Sequence, residues 1–138
     1  MKQFFLLAAL ICFGMAALKL YTARMRSNFS GGEPEKNSAR LSAEEAKERL
    51  EANPAVILLD VRSQEEYDGG HIPGAVCLPN EDIQADLPLP FDKDAEILVY
   101  CRSGRRSAEA AEKLAAMGYT GVADFGGIQD WPYEITAE

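Results

Sequence analysis

Six consecutive residues carry the side chains best suited to chemistry in this sequence: Cys101, Arg102, Ser103, Gly104, Arg105 and Arg106. They follow the apolar run 97–100 directly, and an amphipathic helical pattern comes next. A strand, a tight loop and a helix in this order point several backbone N–H groups, and the positive end of the helix, into one small cup. Cations and a helix N-terminus both favour the charged form of a thiol. The loop therefore predicts an activated sulfur nucleophile inside an anion-binding cradle.

The charge distribution favours a small anionic ligand. The chain carries 14 Lys and Arg against 22 Asp and Glu, for a formal net charge of −8. Four of these cations lie in residues 1–26, which hold no acid, so residues 27–138 carry 10 cations against 22 acids. Three of those 10 are the arginines of the loop. Because nucleic acid would meet mostly carboxylates, we expect no nucleic-acid partner, whereas a small anion can find the one positive site.

The cysteine pattern excludes a disulfide framework and a metal centre. Cys12 lies in the apolar leader, which leaves Cys77 and Cys101 in the folded part without metal-ligand spacing. No metal or cofactor is expected, and one small monomeric domain of about 100 residues is predicted. Cys77 lies within a short apolar run, where a core thiol is favoured over a resolving or relay thiol.

The first 26 residues resemble a targeting or anchoring segment. Lys2 precedes the uncharged apolar run 4–18, and the cations Lys19, Arg24 and Arg26 follow it. Cations in this position favour an uncleaved signal-anchor, which would attach the protein to a membrane of the cell envelope. The alternative is a signal peptide, cleaved near Ala16, that exports the protein. Residues 27–39 are polar and rich in Gly, Ser and Pro, which predicts a flexible linker before a domain at 40–138.

Strand and helix patterns alternate through that domain. A capping box at Ser42 and Glu45 opens a helix that ends at Asn53–Pro54. Apolar runs predict strands at 56–61, 75–78, 97–100 and 122–125. Helical patterns lie at 64–67, 80–85 and 107–117. This alternation predicts an α/β fold with a central, mainly parallel sheet and helices on both faces, and it places the site at the carboxyl ends of the strands.

Four motifs in this order resemble the rhodanese (thiosulfate sulfurtransferase-like) domains. The motifs are Asp60-Val61-Arg62, the stretch 67–78 with His71-Ile72-Pro73-Gly74-Ala75, the loop 101–106, and Gly126-Gly127-Ile128 with Trp131. The resemblance covers residues 41–135. It implies a small rhodanese-like domain, preceded here by the N-terminal apolar helix.

The resemblance implies that Cys101 accepts sulfane sulfur from an anionic donor, thiosulfate or a persulfide, and passes it to a thiol or cyanide. Backbone N–H groups of residues 102–106 would stabilise the persulfide anion. Arg102 and Arg105 would attract the donor, while Arg106 would brace the loop against a carboxylate, with Asp60 or Glu65 as candidates. Four residues separate Cys101 from Arg106, and this spacing is that of the family's sulfurtransferases rather than its phosphatases.

The remaining polar residues are predicted to have structural roles, and three functions are compatible with the sequence. Asp60 and Arg62 are expected to form a buried pair, and His71 to fix a turn through hydrogen bonds rather than act as a general base. A sulfurtransferase is favoured. The alternatives are a carrier or sensor that takes one sulfur and is read by a partner protein, and a module that binds an anion without chemistry.

Overall fold

The computed structural model of the protein describes residues 38–138. The predicted apolar helix in residues 1–26, with its signal-anchor or signal-peptide role, and residues 27–37 of the predicted linker lie outside the described residues. The predicted linker is wrong at its last two residues, because Ser38–Arg40 forms a strand that pairs in parallel with residues 122–124. The folded domain therefore begins at least two residues earlier than predicted.

Residues 38–138 form one sheet with helices packed against it. Its five strands are β1 (Ser38–Arg40), β2 (Ile57–Asp60), β3 (Val76–Cys77), β4 (Glu96–Cys101) and β5 (Gly121–Gly127). The helices of this part are α1 (Ala43–Ala52), α2 (Gln64–Asp68) and α3 (Arg105–Ala116), with 3-10 turns at Asn80–Asp82 and Ile128–Asp130. The strands lie in the order β1-β5-β4-β2-β3, and every neighbouring pair is parallel. The prediction of an α/β fold with a parallel sheet is confirmed.

Apolar residues on both sides of the sheet build two cores. On β4, Ile97 and Val99 pack with Leu114 of α3 on one face. Leu98 of the same strand packs with Ala46 of α1 on the other face. A strand with apolar residues at successive positions is thereby buried on both sides, which is why its pattern is a continuous run rather than an alternation.

The chain changes direction across the sheet next to β4. From β2 the chain runs outward to β3 at one edge, and from β4 it runs the opposite way to β5. The carboxyl ends of β2 and β4 therefore lie at the point where the strand order reverses, which is where open α/β sheets bind their ligands. Cys101 is the last residue of β4, so the fold brings it to this position.

The helix after Cys101 begins earlier than its pattern predicts. The predicted range was 107–117, whereas α3 starts at Arg105 with Gly104 as its N-cap. Gly104 has a φ of 103°, in the left-handed region that glycine adopts without strain. Arg105 and Arg106 thus belong to the first helical turn, and only Arg102, Ser103 and Gly104 form the loop proper.

Candidate active site

Cys101 lies at the bottom of a cup formed by the loop and the first turn of α3. The residue is 1% exposed. Its sulfur accepts a hydrogen bond from the backbone N–H of Gly104 at 3.0 Å. The left-handed conformation of Gly104 directs this N–H back toward the strand end, so one glycine both turns the chain and supplies a donor to the sulfur.

Hydrogen bonds rather than guanidinium groups are the main cause of the thiol's acidity. Burial raises the pKa of Cys101, and the hydroxyl of Ser107 lowers it. The backbone N–H groups of Ser107, Gly104 and Ser103 lower the pKa further, so that it falls below the ordinary value. Of the two predicted causes, cations and the helix N-terminus, the backbone N–H groups at the start of α3 are the ones that lower this pKa.

Ser107 and Asp124 form a second layer beneath the sulfur. The Cys101 sulfur and the Ser107 oxygen are 3.6 Å apart. The Ser107 hydroxyl donates to Asp124 Oδ1 at 2.6 Å, and the same oxygen accepts the backbone N–H of Gly126 at 2.9 Å. Ser107 is fully buried and Asp124 is 4% exposed. A buried carboxylate therefore lies one hydroxyl group away from the candidate nucleophile.

Arg106 is paired with Glu66, and the predicted partners Asp60 and Glu65 are wrong. The guanidinium of Arg106 donates to both oxygens of Glu66, at 2.7 and 2.9 Å. Glu66 is also the third residue of α2, where it accepts the backbone N–H of Ser63 in a capping box. The hydrogen bond from Arg106 is the main reason that the pKa of Glu66 falls to about 2. The brace thus joins the first turn of α3, which directly follows the loop, to the start of α2.

The three arginines of the motif are in different environments. Arg105 pairs with Glu109 at 2.9 Å on the exposed side of α3, which neutralises part of the charge predicted to attract a donor. Arg102 is exposed, and within residues 38–138 it forms no ion pair. Its side chain lines an open groove of about 490 Å³ together with Glu65, Ile128 and Ile135. Arg102 is therefore the arginine best placed to meet an anion arriving from solvent.

Asp60 and Arg62 hold the ends of β2 and β4 together. Arg62 donates through Nε to Asp60 Oδ1 and through Nη2 to Asp60 Oδ2, and Nη2 also donates to the carbonyl of Gly70 at 2.7 Å. Tyr100 donates its hydroxyl to Asp60 at 2.8 Å and accepts the backbone N–H of Ile72. Both charges are nearly fully buried, and their hydrogen bonds offset the cost of that burial. The pair is structural, as its position at a strand end predicts.

His71 is a turn residue in this fold. Its Nδ1 lies 2.9 Å from the carbonyl oxygen of Tyr67, and the two rings are stacked with centroids 3.7 Å apart. Its backbone pairs with Thr136 near the end of the chain. These contacts match the turn-fixing role and give His71 no link to Cys101.

Close contact between the end of β5 and the loop depends on glycine. Gly127 pairs with Cys101 across the sheet. A Cβ added at Gly127 would overlap the carbonyl group of Arg102 and lie 2.7 Å from the Cα of Ser103. The Gly126-Gly127 turn is therefore the wall against which the active-site loop rests.

Cys77 lies apart from the cup. It ends the edge strand β3, while β2 separates β3 from β4. Burial and the carboxylates of Asp60 and Asp68 raise the pKa of the Cys77 thiol. The thiol is half-buried and belongs to neither apolar core of residues 38–138, so the predicted core thiol is wrong, and one strand separates it from Cys101.

Sequence reasoning missed Ser107, Asp124 and Glu66 as members of the site. Ser107 directly follows the motif, and its pattern predicts only the start of a helix. The spacing of Ser63 and Glu66 is that of a capping box, which could have located α2 but not the contact with Arg106. Asp124 precedes the Gly-Gly turn on β5 and carries no local signal of its proximity to Cys101.

Known proteins are similar to this chain in fold and in sequence. A model of the rhodanese-like domain family matches residues 42–133. The chain is 38% identical over 73 residues to the thiosulfate sulfurtransferase PspE of Escherichia coli, covering 52% of this chain and 70% of that relative. It is 34% identical over 92 residues to the thiosulfate:glutathione sulfurtransferase of Saccharomyces cerevisiae, covering 57% of this chain and 66% of that protein. The solution structure of a rhodanese-like domain from Anabaena has a TM-score of 0.66 at 29% identity, over 73% of this chain and 80% of that one. Fold, motifs and relatives agree, and the chain belongs to the family of rhodanese-like domains, whose sulfurtransferase members support sulfur transfer as its general activity.

Proposed function

We propose that this protein is a sulfurtransferase that carries sulfane sulfur on Cys101 as a persulfide. The observation that carries the proposal is the buried sulfur of Cys101, with a pKa lowered by the hydrogen bonds of its cup. A thiolate is the reactive form of cysteine, and a fixed set of donors can stabilise negative charge on a bound sulfur group.

The first half-reaction loads the enzyme. The Cys101 thiolate attacks the outer sulfur of thiosulfate, a new S–S bond forms at Cys101, and the S–S bond of the donor breaks to release sulfite. Arg102 draws the dianionic donor to the loop, and the backbone N–H groups of the cup hold the negative outer sulfur of the persulfide. A persulfide donor would react in the same way, with a thiolate as the leaving group.

The second half-reaction regenerates the thiolate of Cys101. A thiolate or cyanide attacks the outer sulfur, and Cys101 leaves as the thiolate. The groove beside Arg102 is the entry that we assign to the acceptor, because two arginines, two glutamates and two isoleucines line it next to the loop. A thiol that carries both charges and an apolar part, such as glutathione, has this chemistry, and a related yeast protein is named for glutathione.

Intact mass spectrometry of the full chain tests the chemistry. We expect wild-type protein to gain one sulfur atom after incubation with thiosulfate and to lose it on addition of cyanide, while Cys101→Ser gains nothing. Cys77→Ser is the matched control and should gain the sulfur like wild type. A gain on Cys101→Ser, or no gain on a folded wild-type protein, would refute the proposal. Loading without repeated turnover of excess donor and acceptor would instead identify the carrier alternative.

We further propose that residues 1–26 attach the protein to a membrane. The support is the apolar run 4–18 with its flanking cations. In residues 38–138, no helix has the length and apolar character needed to cross a membrane. The mass of the protein recovered from cell membranes after alkaline extraction tests this proposal: the full chain indicates an anchor, and a shorter soluble chain indicates export after cleavage near Ala16.

A further inference from the structure

Beneath Cys101, the single proton of the Ser107 hydroxyl has several possible acceptors. A serine hydroxyl carries a single proton. The oxygen of Ser107 lies 2.6 Å from Asp124 Oδ1 and 3.6 Å from the sulfur of Cys101. The same oxygen also lies 3.1 Å from the carbonyl oxygen of Gly104 and 3.2 Å from that of Gly126. Of these acceptors only the carboxylate and a thiolate sulfur are charged, and the hydroxyl can donate to one of the two at a time.

The preferred acceptor depends on the charge of the sulfur. When Cys101 is a thiol, its S–H donates to Ser107, whose proton points to Asp124, so that every donor in the row is satisfied. When the sulfur is a thiolate, it has no proton to donate and is itself a charged acceptor, so the hydroxyl gains by turning toward it. Asp124 then still accepts the N–H of Gly126 and the exposed guanidinium of Arg40.

We propose that Ser107 is a catalytic residue whose hydroxyl donates a hydrogen bond to the Cys101 sulfur when that sulfur is charged, and that Asp124 is a positioning residue that accepts this hydrogen bond when the sulfur is neutral. The inference rests on the proposed function. In the loading step the sulfur changes from thiolate to neutral persulfide sulfur, and the hydroxyl turns to Asp124. In the unloading step the sulfur leaves as thiolate, and the hydroxyl turns back. The proton stays on Ser107 throughout, so no oxidant, reductant or external acid is needed.

Asp124 also raises the free energy of the thiolate form of Cys101. Its negative charge and its demand for the Ser107 proton both disfavour the thiolate. The other charged groups near this row are Arg40 from β1, Glu112 from α3 along the same edge, and Arg106, whose charge interacts with that of Cys101. Arg40 is largely exposed, so it offsets Asp124 only in part. Asp124 therefore opposes the thiolate only in part, and it accepts the hydrogen bond of Ser107 when the sulfur is neutral.

Titration of the Cys101 thiolate tests the assignment without any sulfur donor. The full chain is titrated by its ultraviolet thiolate absorbance, and the curve of the same protein carrying Cys101→Ser is subtracted. We expect Ser107→Ala to raise the pKa of Cys101 by about one unit, as loss of a hydrogen bond to a charged group predicts. Asp124→Asn should lower it by about half a unit or more, because the carboxylate no longer competes for the proton. Asp94→Asn, an exposed carboxylate near the opposite end of β4, is the charge-matched control and should cause no shift.

The double variant separates action through Ser107 from a direct effect of charge. In the Ser107→Ala background, Asp124→Asn should shift the pKa much less than it does in wild type. An equal shift in both backgrounds, or a rise in the pKa with Asp124→Asn alone, would overturn the assignment. If Ser107→Ala does not fold, Ser107→Cys takes its place in the cycle, because a thiol is close to the hydroxyl in size and donates only weakly. The subtracted curve then comes from the protein that carries both Ser107→Cys and Cys101→Ser. Failure of sulfur loading in the mass experiment would refute the proposed function and leave this titration unaffected.

Discussion

Replacement of Glu66 by glutamine tests whether one carboxylate holds the active-site loop against the rest of the domain. Glu66 accepts two hydrogen bonds from Arg106 and one from the backbone of Ser63. The fall of its pKa from 4.5 to about 2 corresponds to about 3 kcal/mol when fully counted. The two side chains are 30% and 20% exposed, and screening by solvent reduces the figure to about 1–2 kcal/mol. We expect Glu66→Gln to lower the free energy of unfolding by that amount at neutral pH.

Urea unfolding at several pH values measures the effect and its cause. Because the pKa of Glu66 is lowered by folding, its stabilisation is complete above the ordinary value of 4.5 and disappears as the pH falls toward 2. The difference between wild type and Glu66→Gln should therefore shrink as the pH is lowered through this window. Glu65→Gln, at the adjacent exposed position without an ion pair among residues 38–138, should unfold like wild type. An equal loss in both variants, or a difference that does not change with pH, would refute the brace.

Three further substitutions test other parts of the site. Gly127→Ala should abolish sulfur transfer and lower the melting temperature, because the added Cβ would overlap the carbonyl of Arg102. Gly69→Ala is the control: its Cβ would meet only ordinary contacts at 3.6 Å, so this variant should melt like wild type. Arg102→Ala should raise the KM for thiosulfate by about tenfold and weaken its dependence on salt, since an exposed unpaired cation acts by attracting the anion; an unchanged KM would assign that role elsewhere. Cys77→Ala should leave steady-state turnover unchanged, and a large loss would indicate a relay thiol.

The strands that are buried could be predicted from their apolar residues. A strand that is held only by backbone hydrogen bonds could not. β4 is buried on both faces, so its apolar run identifies it without ambiguity. β1 consists of Ser38, Ala39 and Arg40, which have no apolar pattern, and it is held by backbone pairing to β5 at the edge of the sheet. Such a strand has no signature in its own sequence, which is why the composition of residues 38 and 39 predicts a linker instead.

The site could be predicted as far as its residues are neighbours in the chain. The loop after Cys101 is a local motif, and local motifs specify local geometry. Glu66 lies 40 residues from Arg106, and Asp124 lies 17 residues from Ser107. Their contacts depend on how β2, β4 and β5 are ordered, and nothing in a sequence with 22 acidic residues marks these two carboxylates as the ones that reach the loop.

The motif 101–106 contains three arginines, but neutral hydrogen-bond donors rather than these charges stabilise the thiolate of Cys101. Arg106 is tied to Glu66 and Arg105 to Glu109, so both carry compensating carboxylates. The thiolate is instead favoured by backbone N–H groups and a hydroxyl, which are fixed by the turn at Gly104 and do not depend on salt. Arg102 is thereby left to attract the donor from solvent. If the arginines generated the thiolate, high salt would raise the pKa of Cys101, whereas donors buried in the cup should hold that pKa constant while the KM for an anionic donor rises.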